Sequence, residues 1–274
     1  MRVSILLLPW LSLLTSEARA LAPAASAKEG SRPGCCAVLE LRQYTLRPGQ
    51  RDVLIELFDR EFVESQEEQG ATLAGQFRDS ERPDRFVWLR GFADMRGREE
   101  MLKRFYGGPV WKVHREAANA TMLDSSNVLL LRPSAGEAGL LLPREPRPAV
   151  GTRETPKSVV VVTLLYRSAP VDDAFLQFVR RRVLPVFAQA GAPPAALFQS
   201  EYAQNTFPAL PVREGEHVLA LFTVFPSREH YLGHVEKLAR SRRWTRDVEP
   251  ALRAQLKSAP ETLRLEPTAR SALR

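Results

Sequence analysis

From Val38 the chain alternates. Val38-Leu39-Glu40-Leu41-Arg42-Gln43-Tyr44 has the two-residue period of a β-strand, and Pro48-Gly49 supplies the turn after it. The period then lengthens: Val53, Leu54, Leu57, Phe58 and Phe62 recur at helical spacing with acidic residues between them, and Gly70 stops the helix. Leu73 to Arg78 and Arg85 to Phe92 read as strands joined by a turn over Ser80 to Asp84. A helix from Met95 to Phe105 is broken by Gly107-Gly108. It restarts with Pro109 in its first turn and runs to Met122, and Asn127 to Leu131 is a last strand.

The same order returns further on. Val159 to Tyr166 reads as a strand, and a helix over Val171 to Gln189, kinked near Pro185, ends at Gly191. Strands follow at Ala196 to Glu201 and His217 to Phe225. A long helix from Glu229 to Leu256 is interrupted by Pro250, and Thr262 to Leu265 closes the pattern. Leu54, Leu57 and Phe58 lie 121 positions before Phe175, Phe178 and Val179, whereas Phe92 and Trp111 lie 133 positions before Phe225 and Trp244. The difference is a 12-residue insertion in the second copy's hairpin loop, Tyr202 to Glu216, which reads as a lid, a partner contact or a tolerated insertion.

The expected fold is therefore α+β: two tandem ferredoxin-like (β-α-β-β-α-β) domains over residues 37–132 and 158–267. Prolines 133, 143, 146, 148 and 156 exclude regular structure from the linker 133–157, where Leu140-Leu141-Leu142 is expected to dock on a domain surface. Each four-stranded sheet must cover its open face. Two packed face to face make a barrel of the dimeric α/β type, within one chain or with a second subunit.

Charge and cysteines narrow the classes. The net charge is +7, but the arginines are scattered among Asp and Glu, so the basic stripe that nucleic acid needs is absent. Cys35 and Cys36 are adjacent, and the strained geometry of neighbouring cysteines argues against a bridge between them. Residues 1–27 look like a secretory signal: Met1-Arg2, an apolar run from Val3 to Leu14, then Ala18-Arg19-Ala20 and Ala25-Ser26-Ala27. The protein is expected to be exported or periplasmic if that segment is a signal, and cytoplasmic if Met1 is an upstream start. The run is too short to span a membrane.

Several stretches resemble the NIPSNAP family. They are Leu39-Glu40-Leu41-Arg42-Gln43-Tyr44-Thr45-Leu46-Arg47-Pro48-Gly49, Phe77-Arg78-Asp79, Asp84-Arg85-Phe86-Val87-Trp88-Leu89-Arg90-Gly91-Phe92 and Phe105-Tyr106-Gly107-Gly108-Pro109-Val110-Trp111, closed by Ala117 to Met122 and Asn127 to Leu130. The resemblance covers the first copy; the second keeps the element order and Trp244 but little of the wording. It implies a dimeric α/β-barrel fold, in a superfamily that includes cofactor-free monooxygenases, haem proteins and members without assigned chemistry. NIPSNAP proteins themselves have no agreed reaction, so the resemblance speaks to fold more than to function.

Strand alternation separates Leu39, Leu41, Val87 and Leu89 from Glu40, Arg42, Tyr44, Trp88 and Arg90. The aliphatic set is expected against the helices, which puts the charged and aromatic set inside the barrel. Its second-copy counterparts, Val161, Thr163, Leu165, Leu221 and Thr223, are apolar or hydroxylic. One reading is a first-copy cavity for a small, partly apolar molecule. Arg42 and Arg90 would orient it, Tyr44 and Trp88 would stack on it, and Glu40 would act as a base. Trp111, Arg115 and Asn119 on the second helix would complete the wall, with His114 as a further catalytic candidate. The other reading is a paired Glu40–Arg42–Arg90 network that only docks the sheets. Ligand binding, cofactor-independent monooxygenase or isomerase chemistry, and a scaffold without a ligand remain open, with a homo-oligomer or an intramolecular pseudo-dimer as the assembly. His230 and His234 stand one helical turn apart, a metal-compatible spacing without a third ligand, so neither metal nor cofactor is expected. Nucleotide loops and nucleophile motifs are missing.

Overall fold

The computed structural model describes residues 34–143 and 145–274; the signal-like segment 1–27 lies outside the described residues. The strands are β1 Val38–Leu46, β2 Thr72–Asp79, β3 Arg85–Phe92, β4 Met122–Asp124, β5 Val128–Pro133, β6 Val159–Arg167, β7 Ala196–Ser200, β8 His217–Phe225 and β9 Glu261–Pro267. Helix α1 joins Arg51–Leu57, a wide π turn at Phe58–Phe62, and Val63–Glu67. Helices α2 and α3 are Met95–Gly107 and Pro109–Ala120. Helix α4 joins Asp173–Phe178, a π turn at Val179–Val183, and Leu184–Gln189; α5 is Arg228–Arg240; α6 joins a π segment, Arg243–Val248, to Glu249–Arg253. The π turns of α1 and α4 start at Phe58 and Val179, 121 positions apart, and α1 widens in the same way without a proline, so the widening does not need Pro185.

The second long helix does not run through to Pro250. It breaks at Ser241, whose backbone is extended and whose hydroxyl accepts a hydrogen bond from the Trp244 amide at 3.2 Å. Gly108 breaks the first copy at the same place, 133 positions earlier. Pro250 is absorbed near the start of the last segment of α6, where its missing N–H costs little.

All strand pairings are antiparallel, and the order β3-β2-β9-β6-β8-β7-β5-β1 closes through a further β3–β1 pairing, with the short β4 appended to β1. The result is a mixed α/β fold around a closed sheet within one chain. β2–β9 and β5–β7 are the two seams between its halves. Every barrel strand sends apolar side chains inward: Leu39, Leu41, Phe77, Val87, Leu89, Leu129 and Leu131 from the first half, and Val160, Val162, Leu164, Phe198, Ala220, Phe222, Leu263 and Leu265 from the second. The barrel interior is thus filled with hydrocarbon from both halves.

One end of the barrel is closed by the linker. Leu140 is buried in the same core, and Cys35 forms a β-bridge with it, its amide donating to the Leu140 carbonyl at 2.7 Å. Contrary to expectation, Cys35 and Cys36 form a disulfide. Cys36 takes a left-handed backbone, φ 80°, and the pair lies over Gly91, where any β-carbon would collide with the Cys36 sulfur.

The C-terminal residues and the linker are clamped onto α1 by two arginines. Arg270 donates to the Asp59 and Pro148 carbonyls and to Glu64, while Arg147 donates to the Arg270 carbonyl, the Leu73 carbonyl and Glu67. Beside this clamp Asp59 is half-buried, with its Oδ1 buried and unpartnered among the described residues. Burial pushes its pKa up from 3.8 to about 6, against the pull of Arg270, Arg147 and Arg78. The folded chain therefore binds more protons than the unfolded one between those two values, so stability falls as pH rises through that window and the deficit persists above it. Asp59→Asn is expected to raise stability at pH 7–8 by about 1–3 kcal/mol and to flatten the dependence between pH 4 and 6. Urea unfolding at pH 4, 6 and 8 checks this; an unchanged slope would remove Asp59 as its source.

Candidate functional site

The aliphatic residues of β1 and β3 fill the barrel, so their alternate neighbours must face the helices. This reverses the sequence expectation. Glu40, Arg42, Tyr44, Trp88 and Arg90 do not line a barrel cavity; they lie fully or almost fully buried between the first-half sheet and helices α1 and α2. The physical reason is that aliphatic side chains from both halves fill the barrel centre, whereas the helix layer supplies partners such as Gln66 and Arg98.

There the residues form one network. Arg90 donates to Glu40 Oε2 from Nε (2.9 Å) and Nη2 (2.7 Å), and from Nη1 to Gln66 Oε1 at 2.7 Å. Arg42 donates to Glu40 Oε2 and to the Tyr44 hydroxyl, both at 3.0 Å. Arg98 on α2 donates from Nε to Glu40 Oε1 at 2.7 Å and from Nη1 to Asn205 Oδ1 at 3.0 Å. Trp88 lies under the guanidiniums of Arg90 (4.9 Å) and Arg42 (5.3 Å). Burial alone would raise the Glu40 pKa, but Arg90, Arg42 and Arg98 overcome it and hold the carboxyl far below the usual range. Glu40 is a permanent counter-ion, which makes it a poor proton acceptor and corrects its reading as a base.

The other first-copy candidates scatter. His114 is half-buried, with Nε2 3.4 Å from Glu61 Oε2 and its ring edge-on to Phe62, and it bonds to no member of the network. Trp111 packs among Phe62, Phe105 and Tyr106 as a wall of the helix layer. Arg115 and Asn119 are exposed on α3 and line nothing buried, because the apolar stripe of α3 turns Ala118 inward instead. Gln66, Arg98 and Asn205, which complete the network, escaped the sequence reading. They sit on polar helix faces and in a loop, where nothing in the local pattern marks burial.

The insertion loop 202–216 belongs to the second copy yet covers the first-half network. Asn205 caps Arg98, Phe207 stacks on Tyr106 at 5.8 Å, and the Arg213 amide donates to the Val128 carbonyl at 2.8 Å.

The second half is hollow at the matching place. Between its sheet and helices α4, α5 and α6 lies a cavity of about 270 Å³. Offsets of 121 and 133 convert Glu40, Arg42, Tyr44, Gln66, Trp88, Arg90 and Arg98 into Val161, Thr163, Leu165, Phe187, Leu221, Thr223 and Tyr231. All of these line the cavity. Two arginines and a glutamate have become threonines and a valine, and the volume they lost is the void. The same offset applied to the helices would have found Phe187 and Tyr231 from sequence.

His234 and Trp244 also line it. His234 Nδ1 is 3.4 Å from the Ala190 carbonyl, which assigns the proton to Nδ1 and leaves Nε2 as the ring's acceptor. Burial lowers its pKa, with Lys237 adding to the shift and that carbonyl opposing it, which favours the uncharged ring. His230 instead pairs with Ser227, so the two histidines do not converge. Among the described residues no helix is long and apolar enough to cross a membrane.

Residues 39–135 match the NIPSNAP family model. No curated protein matches the chain. Among solved structures, a protein from Fusobacterium nucleatum named as a candidate monooxygenase aligns with TM-score 0.53 at 11% identity, covering 84% of this chain and 92% of that one. A candidate monooxygenase from Lactobacillus acidophilus gives 0.48 at 14% identity over 84% and 93%. A NIPSNAP domain protein from Burkholderia xenovorans gives 0.33 at 19% identity over 36% of this chain and 96% of that one. The first of these likenesses supports the barrel fold, and identities this low carry no reaction with them.

Proposed function

We propose that this chain, whose residues 39–135 are a NIPSNAP domain, binds one small, largely apolar molecule in the sheet–helix cavity of its second half. In this reading the chain is two ferredoxin-like repeats that form the pseudo-dimer internally. The first repeat fills its sheet–helix layer with a charged network, and the second leaves the cavity that would take the apolar molecule. The observation that carries it is the seven-residue correspondence: where the first repeat fills the layer with a charged network, the second leaves a cavity with aromatic and aliphatic walls. Thr163, Thr223, Thr262, Tyr231 and His234 are uncharged polar groups that would orient a ligand's hydroxyl or carbonyl, and Glu249 and Arg253, paired with each other at 2.8 Å, also line the cavity.

The test uses 1-naphthol, two fused rings carrying one hydroxyl, titrated calorimetrically into the full chain. One-to-one binding is expected. Val161→Phe, which fills the cavity from β6, should weaken it by at least about tenfold, or about 1.4 kcal/mol. Absent heat, or equal binding by the filled variant, would reject the site.

A second reading, proton-transfer chemistry of the isomerase kind, has one observation in its favour: His234 lines the cavity with Nδ1 toward the Ala190 carbonyl, which leaves Nε2 to accept a proton and return it. Turnover that survives His234→Ala would dismiss it.

A further inference from the structure

The first-half network carries more positive charge than its partners cancel. Arg42, Arg90 and Arg98 are each completely buried, and among the described residues the only carboxylate bonded to them is Glu40. Two positive charges are left in a layer from which water is excluded. Charges buried without partners are strongly unfavourable, and the remedy in folded proteins is an opposite charge. The ring faces of Trp88, Phe92 and Tyr106 offset part of this, because Arg90 and Arg42 lie over them. Rings accept from above the guanidinium plane, however, and leave its in-plane donors unanswered.

Two of those donors are unanswered. Arg42 Nη2 and Arg98 Nη2 are buried and without a hydrogen-bond partner among the described residues. Both guanidiniums bond to the same carboxylate, Arg42 at Oε2 and Arg98 at Oε1, so Glu40 lies between the two arginines that carry the free donors. The cover over it is the 202–216 loop, which offers Arg98 only the neutral oxygen of Asn205 and lays Phe207 on Tyr106.

We propose that this network is an anion site: a small oxoanion, carboxylate or phosphate in type, is held by Arg42 Nη2 and Arg98 Nη2 beneath the 202–216 loop. The anion supplies the missing negative charge and answers both free donors with charge-assisted hydrogen bonds. Entry requires the loop to lift, which frees Asn205 from Arg98 and Phe207 from Tyr106. The loop is then a cover for the first repeat, supplied by the second. This site is separate from the second-half cavity and does not depend on it.

The experiment is calorimetric titration of the full chain with sodium phosphate, sodium formate and, as control, sodium chloride, in a zwitterionic buffer. Saturable binding of phosphate, formate or both at one site per chain is expected. Phosphate alone identifies an inorganic or phosphoryl anion; formate alone identifies an organic acid. Arg98→Met should weaken binding by about tenfold or more, while Arg98→Lys, which keeps the charge, should fall between. Arg115→Met, which removes an exposed arginine on α3 outside the network, should retain binding, and an Arg98→Met circular dichroism spectrum that matches the unaltered chain separates loss of the donor from loss of the fold. A response no larger than that to chloride, or Arg98→Met binding as well as the unaltered chain, would overturn the proposal.

Discussion

Glu40→Gln is expected to destabilise the folded protein by about 3–5 kcal/mol, the cost of stripping a buried charge cluster of its counter-ion. Glutamine has nearly the same shape, so no cavity forms and the loss is electrostatic. Three fully buried guanidiniums would be left with only neutral acceptors: Gln66, Tyr44 and Asn205. The pH dependence follows from sign. Glu40 has its folded pKa depressed, so its contribution is complete above the unfolded carboxylate value and disappears only as pH falls through the lower folded one. The gap between the unaltered chain and Glu40→Gln should therefore be constant above about pH 5 and narrow only in acid. Adding Arg98→Met to Glu40→Gln should cost less than the two changes summed, since the second removes a charge the first left unpaired. Urea titrations at pH 3, 5 and 7 measure this. A loss under about 1 kcal/mol at pH 7 would mean that the layer is hydrated and the charges screened.

Phe222→Ala is expected to cost about 3–5 kcal/mol as well, and to reveal how the two halves are joined. Phe222 on β8 is fully buried in the barrel, opposite Val162 and Ala196, with its ring edge-on to Phe198 at 5.5 Å. The core it belongs to includes Leu39, Phe77 and Leu89 from the first half. A cavity opened from the second half is thus a loss to both. Unfolding should remain one transition, with Trp88 and Trp111 in the first half and Trp244 in the second reporting the same midpoint before and after the change. Separate midpoints, with only the Trp244 signal shifted, would show that the repeats unfold as independent domains.

The sequence was legible wherever a physical constraint is local. Period-two and period-3.6 patterns located every barrel strand to within a few residues, because the alternation of side chains is a property of the backbone itself. The offsets of 121 and 133 carried over to strands, π turns and helix breaks alike. The break at Ser241 was misplaced at Pro250 because a proline at the start of a helical segment costs little, whereas a serine cap shows no hydrophobic signal.

What alternation separates, it does not orient. The chain by itself determined that Glu40, Arg42, Tyr44, Trp88 and Arg90 share one face and that the second copy lacks that polarity. Which face meets the helices was decided only by tertiary closure. Two sheets joined at β2–β9 and β5–β7 bring two aliphatic faces together, and hydrocarbon from both sides excludes water from the barrel. The charged face then had one place left, the helix layer, where Gln66, Arg98 and a loop from the other copy could answer its hydrogen bonds. Burial is a property of the assembled surface, and so is the void that threonine and valine leave where arginine and glutamate stood.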